Sequence, residues 1–264
     1  MLTGREAVAR TGIDAVALKP AECDVSRAVD LPIDRVTIDY EGREHLPDDE
    51  TLDRLADETD LYVTTPVRAD GFDPLGDDSL VDRIPAAARR VLVAGHGAYL
   101  SEEESSRAVA PRLGAAKRNA SGAWVGTEGI ERVALAAGGT QFELLSRSTD
   151  RDVRGLRAAG FEGEVAVYAP TVLTDDEDAV LDAVGAYVAR RRPVARALPD
   201  GGEADAPSTD ASATGRTREV LSAAARDFAL VGSPETVRER VDALREVGVD
   251  HVVGYPARGL AEFV

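Results

Sequence analysis

Cysteine is almost missing from this chain: Cys23 is the one thiol in 264 residues. No intrachain disulfide can form, and neither a CxxC pair nor a His/Cys set with zinc-ligand spacing occurs, so no metal is expected and the compartment reads as reducing. Lysine is nearly as scarce, with Lys19 and Lys117 its only occurrences, so the remaining cationic side chains are arginine. Long apolar runs are absent too. Nothing approaches the roughly 18 residues that span a bilayer, and the opening MLTGREAVARTGIDAV lacks a basic-then-apolar signal pattern. These absences lead to the expectation of a soluble cytoplasmic protein.

What is abundant is acid. The 48 Asp and Glu against 31 Lys and Arg give a net charge of −17. A diffuse acidic surface offers no clustered cations for a phosphate backbone and is repelled by anionic lipid, which argues against nucleic acid and membranes as partners. Salt adaptation accounts for it more simply. In molar salt the Debye length falls to about 3 Å, so carboxylate repulsion is screened while carboxylate hydration keeps the chain dissolved.

Short apolar runs bounded by turn residues recur along the chain, each followed by a stretch of helical spacing, as repeated βα units require. Eight strands are expected: Ala15–Lys19, Arg35–Asp39, Leu61–Thr64, Arg90–Ala94, Ala123–Thr127, Gln141–Leu145, Glu164–Tyr168 and Asp250–Gly254. VLVAG and VAVYA are apolar without alternation, as strands covered on both faces must be. Helices are expected over Asp49–Asp57, Ser101–Lys117, Gly129–Ala137, Asp150–Ala159, Asp175–Arg192, Arg216–Ala225 and Ser233–Val247. The pattern predicts one α/β domain spanning residues 1–264, a (β/α)8 TIM barrel, with an open doubly wound sheet as the runner-up. From Ala197 to Thr217 the text turns to LPDGGEADAPSTDASATGRT, which reads as a flexible or disordered loop before the last unit.

Three segments carry a family resemblance. FALVGSPETVRERVDALREVGVDHVVGYPARGLAEF (Phe228–Phe263) has Ser233 as a cap, Pro234 at the first helical position and Gly248 closing the helix before a last strand. EVAVYAPTVLTDDEDAVLDAVGAYVARR and WVGTEGIERVALAAGGTQFELLS precede it in order. Together, over about Trp124–Val264, they resemble the luciferase-like monooxygenases and deazaflavin-dependent oxidoreductases. The resemblance implies a barrel that binds FMN or a deazaflavin coenzyme for hydride transfer or monooxygenation of a small molecule. Such barrels often pair, which makes a homodimer an expectation. Two departures stand out. Strand two ends in Asp39-Tyr40-Glu41 where the family's usual catalytic group cannot be placed, and only VRADGFDPLGDDSLVDRIPAAARR separates strands three and four, where active members carry a long insertion.

In a barrel, functional side chains sit at the C-terminal ends of strands. That rule collects Lys19, Asp39 with Glu41, Thr64 with Thr65 and Arg68, His96, Thr127 with Glu128, Ser146 with Arg147, Tyr168 and Tyr255. Candidate catalytic residues are His96, Lys19 and Asp39. His96, between Gly95 and Gly97, suits acid–base work; the plainer reading is an imidazole satisfied by its own loop. Lys19 ends strand one, where an amine could form a Schiff base or touch phosphate; the plainer reading is a surface lysine. Candidate cofactor-binding residues are Gly126, Thr127, Ser146, Arg147 and Tyr168, since helix starts and a strand-end guanidinium grip phosphate. Gly126 could equally only shape a turn, and Ser148 or Thr149 only cap a helix. His251 reads as packing and His45 as solvated. Alternatives to the oxidoreductase are a cofactor-free lyase or isomerase using Lys19 or His96, and a non-catalytic binding relative.

Overall fold

A computed structural model describes residues 4–199 and 208–264. In chain order the strands are β1 (Ala15–Leu18), β2 (Arg35–Ile38), β3 (Asp60–Pro66), β4 (Arg89–Val93), β5 (Trp124–Gly126), β6 (Gln141–Leu144), β7 (Val165–Val172), β8 (Leu230–Val231) and β9 (His251–Pro256). All neighbours are parallel. The order β6-β5-β4-β3-β2-β1-β9-β7 closes on itself through a β6–β7 pairing, so eight strands form a barrel. The open-sheet alternative is thereby excluded. The two-residue β8 hangs on the end of β7, Thr171 facing Leu230.

The helices are α1 (Gly4–Ala9), α2 (Asp49–Glu58), α3 (Glu102–Ser106), α4 (Val109–Asn119), α5 (Glu131–Ala137), α6 (Thr149–Ala158), α7 (Glu177–Ala189), α8 (Arg192–Ala195), α9 (Gly215–Phe228) and α10 (Pro234–Glu246). The helix expected over Ser101–Lys117 is broken at Arg107-Ala108. Pro111 has no N–H to offer the carbonyl of Arg107, and its ring crowds that carbonyl, so the chain restarts there. Pro193 likewise does more than stop a helix, because it sits in the first turn of α8. The β1–β2 and β3–β4 connections carry only 3-10 turns, Val25–Asp30 and Val81–Arg83.

Both faces of β7 are covered, all eight residues being buried, which is why VAVYAPTV shows no alternation. Outward residues such as Val165, Val167 and Ala169 pack with Val237, Val241 and Leu244 of α10. Inward residues Ala15, Ala17, Tyr62, Trp124, Phe142 and Tyr168 fill the barrel lumen, small on one wall and aromatic on the other. At the N-terminal end His251 stacks on Trp124 (5.5 Å, 16°) and accepts at Nδ1 from Arg35 at 3.1 Å, closing the barrel floor. No helix among the described residues is long and apolar enough to cross a membrane.

Of the loop expected over 197–217, residues 200–207 lie outside the described residues. Gly215–Thr217 form the first turn of α9, and the stretch before it is docked on α7. Ala211 N–H donates to Asp182 (2.8 Å), Ala213 is buried, and a Cβ on Gly185 would stand 1.8 Å from the Thr209 carbonyl oxygen. Gly185→Ala is therefore expected to destabilise the fold by about 1–3 kcal/mol, because the clash outweighs the better helix propensity. Chemical denaturation checks this; a variant as stable as the parent would show that the docking is loose.

Candidate functional site

Five strands deliver one polar cluster to the C-terminal mouth of the barrel. Asp39, just past β2, accepts a hydrogen bond from the Thr64 hydroxyl of β3 at 3.0 Å. Its carboxyl retains some exposure to the mouth but is walled in by protein. Burial pushes its pKa up to about 6, against the opposing pull of Thr64, Lys19 and Tyr168 and with Glu41 adding to the rise. Tyr168 of β7 is buried beside it, and burial together with the Asp39 charge keeps that phenol protonated well past its ordinary range.

Lys19, after β1, places its ammonium 3.1 Å from Glu22 Oε1 and 4.4 Å over the Tyr255 ring. The Tyr255 hydroxyl of β9 donates to the other oxygen of Glu22, and its ring stacks on Tyr168 (6.3 Å, 11°). Glu41 accepts from the Ala21 N–H at 3.1 Å, tying the loops after β1 and β2 together. The arrangement is a carboxyl poised between charged and neutral forms, with a phenol, a hydroxyl and a fixed ammonium around it. Such a group can take or give a proton near neutral pH.

The other residues expected at the site are dispersed. His96 lies exposed on the loop after β4, its Nδ1 accepting from its own loop's Ala98 N–H at 3.1 Å, which leaves the proton on Nε2 in the neutral ring. Gly95 before it has φ +93°, and a side chain there would meet Leu100 at 2.7 Å. Arg68 spends its guanidinium on the carbonyls of Ala94, Gly95 and Ser105.

Gly126 ends β5 against Val93, where a Cβ would stand 2.8 Å from that side chain. Thr127 is buried with its N–H on the Phe142 carbonyl at 3.0 Å. The Ser146 hydroxyl bonds Ser148 (3.0 Å), and its N–H donates to Thr149 (2.9 Å), building the turn into α6. Arg147 is exposed and makes no ion pair or hydrogen bond among the described residues. Thus Lys19, Asp39 and Tyr168 come together, Gly126, Thr127 and Ser146 form the β5–β6 rim, and His96 and Arg147 stand apart. Sequence reasoning missed Glu22, which lies in the loop beyond the strand end and has no motif around it.

Residues 8–263 match a family profile described as "Family of unknown function (DUF7388)". The chain belongs to that family. The DUF7388 barrel also resembles solved structures. One is the coenzyme F420 dependent tetrahydromethanopterin reductase from Methanopyrus kandleri, at TM-score 0.63 and 15% identity over 95% of both chains. A second is an F420-dependent secondary alcohol dehydrogenase in complex with an F420-acetone adduct, at TM-score 0.60 and 10% identity over 95% of this chain and 96% of that one. A third is apo-MsnO8, at TM-score 0.56 and 14% identity over 92% of both. At these identities the likeness is one of fold. No curated protein sequence matches the DUF7388 chain significantly.

Proposed function

We propose that this protein is a deazaflavin-dependent oxidoreductase in which Asp39 moves the proton that accompanies reaction of a small organic substrate. The observation that carries the reading is the state of Asp39: a walled-in carboxyl raised to about 6 at the mouth of a barrel. A purely structural residue there would be better uncharged, because burial penalises the carboxylate without any gain to folding. Two of the fold neighbours are F420-dependent enzymes, which favours a deazaflavin over FMN.

The residues present fit such a group in two parts. The ring would meet Tyr168, Thr64 and the Lys19 ammonium, all directed at the space around Asp39. The phosphate has fewer choices. Glu128 and Glu131 flank the start of α5, whereas Arg147 beside Ser146 has no ion-pair partner among the described residues, so the Ser146–Arg147 turn is the better hold. When bound, the deazaflavin supplies hydride transfer. The chain's part is to seat the ring, to hold the Lys19 amine in place through Glu22, and to hold or release the Asp39 proton at a carboxyl oxygen. Lys19 is poorly arranged for a Schiff base, since its ammonium is already committed to Glu22 and the Tyr255 face. That weighs against the lyase alternative.

The test is fluorescence titration in molar KCl with coenzyme F420 and, separately, with FMN. F420 is expected to bind tighter than about 10 μM, roughly −7 kcal/mol, and Arg147→Ala to weaken it about tenfold. Failure of both cofactors to bind a folded sample would sink the reading. The acidic composition further supports, as an expectation, a protein that works in concentrated salt.

A further inference from the structure

The outer wall of the barrel opens between α5 and α6 into a cavity of about 720 Å3, within the range that encloses a small organic molecule. It starts at the β5–β6 rim and descends over the outward face of β6. Two features of its lining are unexplained by the fold.

The first is Gln141, which is fully buried. Its amide nitrogen donates to the carbonyls of Gly139 (3.2 Å) and Ala134 (3.4 Å), which fixes its orientation, since a flipped amide would set oxygen against two oxygens. Its Oε1 is left without a donor among the described residues. A buried acceptor with no partner costs about 1–3 kcal/mol, and few survive in native structures without a reason.

The second is Glu143, two residues further along the same strand face, which makes no hydrogen bond or ion pair among the described residues. Its neighbours deepen the imbalance. Arg151 is taken by Asp152, Arg191 reaches Glu128 through one terminal nitrogen while its buried Nε has no partner, and Glu131 accepts just a backbone N–H from Gly129, all among the described residues. Leu135, Leu156 and Phe228 supply apolar wall, and Leu135 is one of two large apolar side chains that the described surface exposes.

We propose that this cavity binds a small organic cation, a protonated amine on an apolar body, whose N–H groups pair with the Glu143 carboxylate and, with a small shift of the wall that covers it, with Gln141 Oε1, while the body lies against Leu135 and Leu156. Four acids, Glu128, Glu131, Glu143 and Asp152, against two arginines make the lining below the Ser146 rim favour a cation over an anion, and a wholly apolar guest would leave both acceptors unmet. Burial, with Asp152 and Glu131 nearby, raises the pKa of Glu143, as expected of a carboxyl still awaiting its countercharge. The inference stands on the outer wall and does not rest on the cofactor reading.

Three probes with one body separate the terms: 2-phenylethylamine, 2-phenylethanol and phenylacetate, each titrated into the full chain in molar KCl at about pH 8 by calorimetry and saturation-transfer NMR. The amine is expected to bind at least about tenfold tighter than the alcohol, as a charge-assisted hydrogen bond requires, with no binding of the carboxylate. Glu143→Gln should erase the preference for amine over alcohol while leaving F420 affinity unchanged. Gln141→Leu should weaken amine and alcohol alike; if that variant fails to fold, Glu143→Gln alone decides. Equal binding of amine and alcohol, or amine binding unaffected by Glu143→Gln, overturns the proposal. So does a dimer, seen by sedimentation, that occludes the amine and dissociates in Leu135→Glu, because the cavity would then be an interface between copies.

Discussion

Asp39→Asn is expected to lose activity by about 10²–10⁴-fold, the usual contribution of a positioned acid or base, and at the same time to gain stability at pH 7. The two effects share one cause. The folded state holds the Asp39 proton up to about pH 6, against an ordinary aspartate value of 3.8. Over that window the folded chain binds a proton that the unfolded chain has released. Stability from this group is therefore fully present below the ordinary value and falls as pH rises through the folded one.

At about 1.4 kcal/mol per pH unit, the charged carboxylate costs the fold up to about 3 kcal/mol above pH 6. Asparagine keeps an oxygen for the Thr64 hydroxyl and carries no charge, so the variant should melt higher at neutral pH and match the parent below about pH 4. The exposed caps Asp24 and Asp48 and the turn residue Asp77 have lowered values set by their Ser and Thr partners and act in the opposite direction, but they are common to both proteins and cancel in the difference. An Asn variant that is as active as the parent, or less stable at pH 8, would contradict this account of the mouth.

The second large effect is at the opposite end of the barrel. Trp124→Ala is expected to cost about 3–5 kcal/mol, as large aromatic deletions in packed cores do. Trp124 is 2% exposed and touches Tyr62 (4.5 Å), Phe142 (5.7 Å) and His251 (5.5 Å), with the Arg35 guanidinium 5.9 Å from its ring. The opposite wall is built from Ala15 and Ala17, which are too small to close the hole that truncation would leave. Trp124→Phe keeps most of the volume and should cost under about 1.5 kcal/mol. Denaturant titration in molar KCl measures both; a loss under about 1 kcal/mol for the alanine variant would mean that the lumen is less tightly filled than the ring distances imply.

The barrel was legible because its strands are buried on both faces, which writes them as unbroken runs such as VLVAG and VAVYA. The elements that escaped reading are those that leave no period. Leu230-Val231 is too short to alternate, and the turns standing in for helices after β1 and β3 follow neither helix nor strand spacing. The break at Arg107-Ala108 was readable in principle from Pro111, yet the flanking periodicity on both sides concealed it.

At the site, the strand-end rule found Asp39, Lys19 and Tyr168 one by one. It could not say that Thr64, 25 residues on, would bond the first, or that Tyr255 would stack between the other two. Nor could it say that Asp39 and Glu41 would take different partners, Thr64 and the Ala21 N–H. His96 shows the limit of the rule. A glycine-flanked histidine after a strand can reach the mouth or turn back on its own loop, and the bond to Ala98 places it in the second arrangement. Gln141 and Arg191 carried no signal, because the pairing that isolates their buried atoms exists only once α5, α6 and α7 are assembled.

The most direct test of the central claim is a carbon-detected NMR pH titration of the aspartate carboxyls in molar KCl, with Asp39→Asn to assign the resonance, without and with coenzyme F420. The account predicts an Asp39 midpoint near 6 in the free protein that moves when the cofactor binds. A carboxyl titrating near 4, unmoved by the cofactor, would contradict it and make the mouth of this barrel a structural feature alone.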